Sequence, residues 1–386
     1  MSELALRTCT LYDGEIGGVH PTTTVVVRDG VIAEPLPDHD FDAESFTGEI
    51  IDAAGSPVVP GYIDIHCHGA GGVAYDEGVD AIPRILSEHG KHGTTRAVMS
   101  FVTAGVDDLE ERIRAAAAVV RTNPRLLGIH PEGPFLHPEH KGAHPEHLLR
   151  DPDKASIQRL IDAAGGTLKQ FTLAPEREGG IEAVRALVAA GVTASVGHTS
   201  TDFETAKEAF DAGARILTHA FNGMRGIHHR APGPVIAALR DERVWLEVIN
   251  DGIHVHPAVV KSLFTEAPER IILITDAMAA TCNPDGDYML GELEVTVEDG
   301  VARLTEGGSL AGSTLTMDQA VANAVTREDM SLDVAVAAAT SHPARAIGEG
   351  EHYGRIAAGY PADILVLDSA TFLPKQIFIG GEPFEG

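Results

Sequence analysis

Histidines and acidic residues recur in this chain where short apolar runs end, and their spacing suits a metal ion. His66 and His68 flank Cys67 at the close of a β-rich run. Side chains alternate across a strand, so the two imidazoles face one way, Cys67 faces the other, and both imidazoles can approach one ion. Further runs close on His130-Pro131-Glu132-Gly133-Pro134, Gly197-His198-Thr199, Thr218-His219 and Thr275-Asp276-Ala277. Glu132 with His198 and His219 is a carboxylate and two imidazoles, a set that leaves an open position for water on zinc or a similar ion. Any one of these residues alone reads as a polar cap on a strand; their joint placement favours ligation. Asp276 is suited to be a general base, taking a proton from water and returning it to a leaving amine. It is equally suited to cap a helix or to steady a histidine ligand, and both roles stay open at this point.

Residues scattered this widely need a scaffold that gathers strand ends on one rim. Apolar β-rich segments alternate with Ala- and Leu-rich helical ones, the signature of repeated βα units and a parallel sheet. Eight candidate strands run near 58–65, 94–103, 125–131, 168–174, 192–197, 215–218, 244–250 and 271–275. The expected class is α/β, a (β/α)8 barrel of the TIM type, whose active site stands at the C-terminal ends of its strands. Such a barrel occupies about 250 residues, and 386 are present. The remainder reads as short strands at both ends: Thr22–Val27, a turn at Asp29-Gly30, Val31–Ala33 and Glu49–Asp52, then Ile364–Leu367 and Gln376–Ile379. Residues 1–57 and 351–386 are expected to form one small β-sandwich domain, and 58–350 the barrel, with a hairpin inserted near 283–308 and helices resuming at Met317 and Leu332. The Gly69–Gly72 cluster lacks the Lys and Ser/Thr of a phosphate loop and is expected to be flexible.

Composition narrows the function. Lys plus Arg number 29 against 57 Asp plus Glu, a formal charge of -28, which argues against nucleic-acid or anionic-membrane partners. A phosphorylated substrate would need a locally positive pocket. Three cysteines without paired spacing fit a reducing compartment, the cytoplasm. The start Met1-Ser2-Glu3-Leu4 has no basic region ahead of an apolar core, and no apolar run reaches the roughly 18 residues of a spanning helix. Cys67 and Cys282 lack a nucleophile motif, and His89, His92, His147 and His352 lie away from strand ends and are expected on the surface.

The run Pro60-Gly61-Tyr62-Ile63-Asp64-Ile65-His66-Cys67-His68-Gly69 resembles the opening of amidohydrolase-superfamily barrels. The later motifs His130 to Phe135, Lys141-Gly142-Ala143-His144, Gly197-His198-Thr199, His219 to Met224, Asp251-Gly252-Ile253-His254 and Thr275-Asp276-Ala277, in that order, are similar to the N-acetylglucosamine-6-phosphate deacetylase family. The resemblance spans nearly the whole chain. It implies metal-dependent release of acetate from N-acetylglucosamine 6-phosphate, in amino-sugar catabolism and cell-wall sugar recycling. Glu132, His198 and His219 would hold one divalent ion, zinc with iron, cobalt or manganese as alternatives, and His66 and His68 a second that shares Glu132. Some amidohydrolases bridge two metals with a carboxylated lysine at the fourth strand, where this chain reads Thr172-Leu173-Ala174-Pro175-Glu176. The resemblance makes Asp276 the proton shuttle and His144 the residue that polarises the acetyl carbonyl. Ala143, Asn222, Gly223, Asp251 and His254 would contact the sugar phosphate, and Leu310, Ala311 and Gly312 would close one side. Arg230 would reach the phosphate across a homodimer interface. The rivals are another amidohydrolase acting on a different N-acyl or cyclic amide, and an inactive barrel kept as a binding module; the latter would have lost ligands, and every ligand position is filled.

Overall fold

The structure, a computed structural model, describes residues 3–386. Met1 and Ser2, at the head of the expected small domain, lie outside the described residues.

Eight parallel strands carry the site. Tyr62–Cys67, Thr94–Phe101 and Leu126–Pro131 form one three-stranded sheet, and Gln170–Leu173, Thr193–Val196, Ile216–Leu217, Trp245–Ile249 and Ile271–Ile274 form one of five. Parallel bridges Ile129↔Leu168 and Glu132↔Thr172 link the third strand to the fourth, and Cys67↔Ala277 links the first to the end of the eighth. The strands are almost wholly buried, as the near-continuous Val/Ile/Leu runs require of a sheet covered on both faces. Amphipathic helices such as Val106–Val120 and Gly180–Ala189 bury their apolar stripes in the same core.

The expected first strand divides at Gly61. Pro57–Pro60 pairs with Glu3–Tyr12 and with Ile364–Leu367 in a sheet built from both ends of the chain. A Cβ at Gly61 would meet Thr95 Oγ1 at 2.3 Å, so only glycine lets the chain cross from one sheet to the other. The terminal sheet has nine strands. Its turn at Asp29-Gly30 adopts φ 50 and 77, the left-handed pair of a two-residue hairpin. Glu3–Tyr12 was not expected, because a bulge between Leu6 and Cys9 breaks the period-two pattern.

The insertion after the eighth strand is larger than a hairpin. Gly286–Leu290, Leu293–Glu298 and Val301–Leu304 make a three-stranded antiparallel sheet. It has a core of its own, in which Leu290, Val295, Val297 and Ala302 pack with Val102, Ala143 and Ala311. The glycine cluster is tied down rather than loose: Gly69–Ala70 pairs with Val73–Ala74. The N–H groups of Gly69, Gly71 and Gly72 donate to the carbonyls of Ala277, Thr281 and Ala279. Among the described residues no helix is long and apolar enough to cross a membrane.

Candidate metal centre

The strand ends converge as the residue types suggested. His66 and His68 bring their Nε2 atoms to 3.3 Å of each other. Cys67 turns the opposite way, its Sγ 3.1 Å from His89 Nε2. His89 is therefore not a surface residue: the helix Ile82–Gly90 turns it inward, 2% exposed. His147 and His352 are exposed, and His92 is half-buried against Asp318.

Glu132 is the hub. Its Oε1 stands 3.0 Å from His219 Nε2, 3.2 Å from His198 Nε2 and 3.4 Å from His66 Nε2. Its Oε2 stands 3.2 Å from His68 Nε2 and 3.5 Å from His144 Nε2. Asp276 Oδ1 lies 3.3 Å from His68 Nε2 and 3.5 Å from His66 Nε2. Two donor groups result, His66 with His68, Glu132 and Asp276, and Glu132 with His198 and His219, and within each the ligating atoms fall within 4.8 Å of one another.

The donor set fits a divalent cation. Four Nε2 atoms face shared carboxylate oxygens, and those of His198 and His219 are only 3.0 Å apart. Such a buried convergence of imidazole and carboxylate is how proteins ligate zinc-like ions. The outer nitrogens are anchored to match: His66 Nδ1 donates to Glu247 Oε2 at 3.1 Å and His198 Nδ1 to the His140 carbonyl at 2.8 Å. Each bond fixes the tautomer that leaves Nε2 facing inward. His219 is held through its backbone, whose N–H donates to Glu247 Oε2 at 3.2 Å. Glu247 was missed in the sequence, although a lone carboxylate inside the apolar run Trp245–Ile249 is a signal that could have found it. His130 stands behind the centre, bonded to Ser100 and Thr172.

Backbone geometry aims three of these side chains. His198, His219 and Asp276 adopt φ of 46, 27 and 50, left-handed values that cost a non-glycine residue about 1–3 kcal/mol and recur at functional sites. Gly223 (φ 56) leaves room for the His198 ring: a Cβ there would meet His198 Nδ1 at 2.8 Å.

Charge in the site is set by competition. Burial opposes the protonation of His66 and His68, but the neighbouring carboxylates prevail, holding His66 well above its ordinary value and His68 up to about 9. Burial likewise opposes ionisation of Glu132 and Asp276, yet the imidazoles hold both below the usual carboxylate range. The ionised carboxylates want positive charge beside them, which cations bound at this site would supply. His144 goes the other way, pushed down to about 4 by burial and by His198, so it is neutral near pH 7.

A cavity of about 340 Å³ opens on the centre. Ala143, His144, Asn222, Gly223, His254, Leu310 and Gly312 line it together with His68, Glu132, His198, His219 and Asp276, and so do Val102, Leu290 and Ser309, which the sequence did not single out. Two expected lining residues stand elsewhere. Ala311 is fully buried in the core of the inserted sheet and does not line the cavity. Asp251 is one layer back, its Oδ2 2.6 Å from His254 Nδ1. Arg230, expected to act across a dimer interface, is exposed beside His229 and does not line the cavity of its own chain.

The chain is similar to known proteins along nearly its whole length. The sequence profile of the amidohydrolase family matches residues 58–384. N-acetylgalactosamine-6-phosphate deacetylase of Escherichia coli O157:H7 is 39% identical over 362 residues, covering 92% of this chain and 93% of its own. N-acetylglucosamine-6-phosphate deacetylase of Vibrio furnissii is 36% identical, covering 82% and 80%. The solved structure of N-acetyl-D-glucosamine-6-phosphate deacetylase from Mycobacterium smegmatis, a mutant in complex with N-acetyl-D-glucosamine 6-phosphate, superposes with a TM-score of 0.94 at 38% identity, covering all of both chains.

Proposed function

The chain belongs to the amidohydrolase family, and on that premise we propose that it hydrolyses N-acetylglucosamine 6-phosphate to glucosamine 6-phosphate and acetate. The observation that carries the proposal is the joint convergence of Glu132, three strand-end histidines and Asp276 in a cavity shared with Asn222, Gly223 and His254. N-acetylgalactosamine 6-phosphate is the second reading, favoured by the Escherichia coli relative. The two sugars differ only at one hydroxyl, so one catalytic apparatus serves either.

His66, His68, Glu132 and Asp276, and Glu132, His198 and His219, would hold one or two divalent ions, zinc being the best match to imidazole and carboxylate donors. A cation there supplies Lewis acidity that activates water and polarises the scissile carbonyl. Asp276, held ionised, takes the proton of the attacking water and returns it to the leaving amine. His144, neutral and buried, donates a hydrogen bond to the developing oxyanion. Asn222, Gly223 and His254, the last steadied by Asp251, orient the sugar phosphate, and Leu310 with Gly312 walls the cavity, backed by Ala311.

The parallel strands form a closed (β/α)8 barrel in this reading, supported by the bridges at both sheet edges. The terminal strands form a small β-sandwich, supported by a separate core of Leu6, Leu11, Val25, Ile364 and Phe378. A homodimer would bring Arg230 to the neighbouring cavity, supported by its exposure beside Ile227, which is 52% exposed. The unpaired cysteines fit the cytoplasm.

Acetate release from both sugar phosphates and from unphosphorylated N-acetylglucosamine tests the proposal, with Asp276→Asn alongside. The expected outcome is metal-dependent turnover of a phosphorylated sugar, reduced by roughly 10²–10⁴-fold in the variant. No turnover with any divalent metal would overturn it.

A further inference from the structure

The cavity is polar on one side and apolar on the other, and the division follows the substrate's own geometry. Asn222, Gly223 and His254, from beyond the sixth and seventh strands, lie on the side assigned above to the sugar. Val102, Ala143 and Leu290 belong to a single apolar cluster, and His144 stands beside it, its Nδ1 accepting the N–H of Thr103 at 3.4 Å. An amide carbonyl carbon is planar, with nitrogen, oxygen and the acyl carbon about 120° apart. With nitrogen toward the sugar side and oxygen toward the catalytic centre and His144, the acyl chain is left facing Val102 and Leu290.

That wall is firmly backed. Val102 is 1% exposed and Leu290 4%. Leu290 closes the strand Gly286–Leu290 of the inserted sheet and pairs with Leu293 across the turn. In that turn Gly291 sits so close to Val102 that a Cβ there would meet Val102 Cγ2 at 2.9 Å. The insertion therefore braces the wall against the second strand, and a longer acyl chain would have to displace packed side chains.

We propose that Leu290, carried by the inserted sheet and backed by Val102, is the residue that restricts the N-acyl group to about the size of acetyl. The inference rests on the deacetylase reading and assigns acyl selectivity to the insertion, separate from the strand ends that hold the metal donors. A group mismatched by one methylene in an apolar pocket is discriminated by roughly 10–200-fold.

The test compares kcat/KM for N-acetyl-, N-propionyl- and N-butyrylglucosamine 6-phosphate, read as release of the free amino sugar. The wild-type enzyme should prefer acetyl over propionyl by about 10–200-fold and over butyryl by more, and Leu290→Ala should narrow the acetyl-to-butyryl ratio at least tenfold through a gain on the longer chains. Because Leu290 also packs in the sheet's core, Leu290→Phe serves as the second variant: it should retain N-formylglucosamine 6-phosphate turnover while losing N-acetyl turnover. Unchanged acyl ratios in both variants, with wild-type deacetylation intact, would overturn this inference alone. Absence of deacetylation by the wild-type enzyme would instead overturn the reading on which it rests.

Discussion

Replacing Glu247 by Ala should damage the metal centre without touching a metal donor. Glu247 is fully buried, and its two oxygens accept from His66 Nδ1 at 3.1 Å, the His219 N–H at 3.2 Å and Gln170 Nε2 at 2.6 Å. Truncation leaves three buried donors without an acceptor, each worth about 1–3 kcal/mol, so about 3–6 kcal/mol after partial relaxation. At about 2.1 cal/mol/K per residue, unfolding of a chain this long has an entropy near 0.8 kcal/mol/K, and the melting temperature should fall by roughly 4–8 °C. Loss of the histidine anchors should also weaken metal affinity by about 10–100-fold. Glu247→Gln keeps the volume but presents an amide N–H where an acceptor is needed, so it should fall between. The assay is chelator competition against titrated zinc, with thermal unfolding of the metal-free protein as the second readout. A Glu247→Ala protein with unchanged melting temperature and unchanged chelator midpoint would refute the reasoning.

Acid should destabilise the fold through histidines buried in neutral form. Burial pushes His342 and His89 down to about 4 from 6.5. Between those pH values the unfolded chain binds protons that the folded one refuses, so their stabilisation is complete above pH 6.5 and is lost at up to about 1.4 kcal/mol per pH unit per group as pH falls toward 4. His342→Gln should flatten the slope of stability against pH in that window, and an identical slope would count against the assignment. Arg230→Ala should raise KM for the sugar phosphate by roughly 10–100-fold with little change in kcat, the loss of one charge-assisted hydrogen bond. Coexpression with Asp276→Asn should restore a competent site in each mixed dimer, and no recovery would place Arg230 outside its partner's site.

Much of the centre was legible because strand alternation and strand ends are local properties. His66-Cys67-His68 needed only period two, and Glu132, His198, His219 and Asp276 needed only the end of an apolar run. What was hidden depends on distant chain. Leu290 reaches the cavity because a sheet, not a hairpin, folds back onto Val102. His89 goes inward because its helix packs on the first strand's loop, a docking that no spacing encodes. The Gly69–Gly72 segment looked loose in composition but is paired to residues more than 200 positions away, through carbonyls of Ala277, Ala279 and Thr281. Backbone strain was also invisible: nothing in the types His198, His219 and Asp276 announces a left-handed φ, and that turn sets the angle at which each enters the donor cluster.

Charge ties these features together. A chain of formal charge -28 repels an anionic sugar phosphate at long range. Its cavity, among the described residues, is lined by no Lys or Arg, and the negative charge of Glu132 and Asp276 is met there only by His66 and His68 beside them. His254 cannot redress this alone, since Asp251 already lies 2.6 Å from its Nδ1. In the proposed reading, further positive charge would come from cations at the two donor groups and from Arg230 of a second copy of the chain. Cations held there would raise the local potential, so that ions able to polarise an amide carbonyl would also make the cavity more hospitable to the phosphate ester.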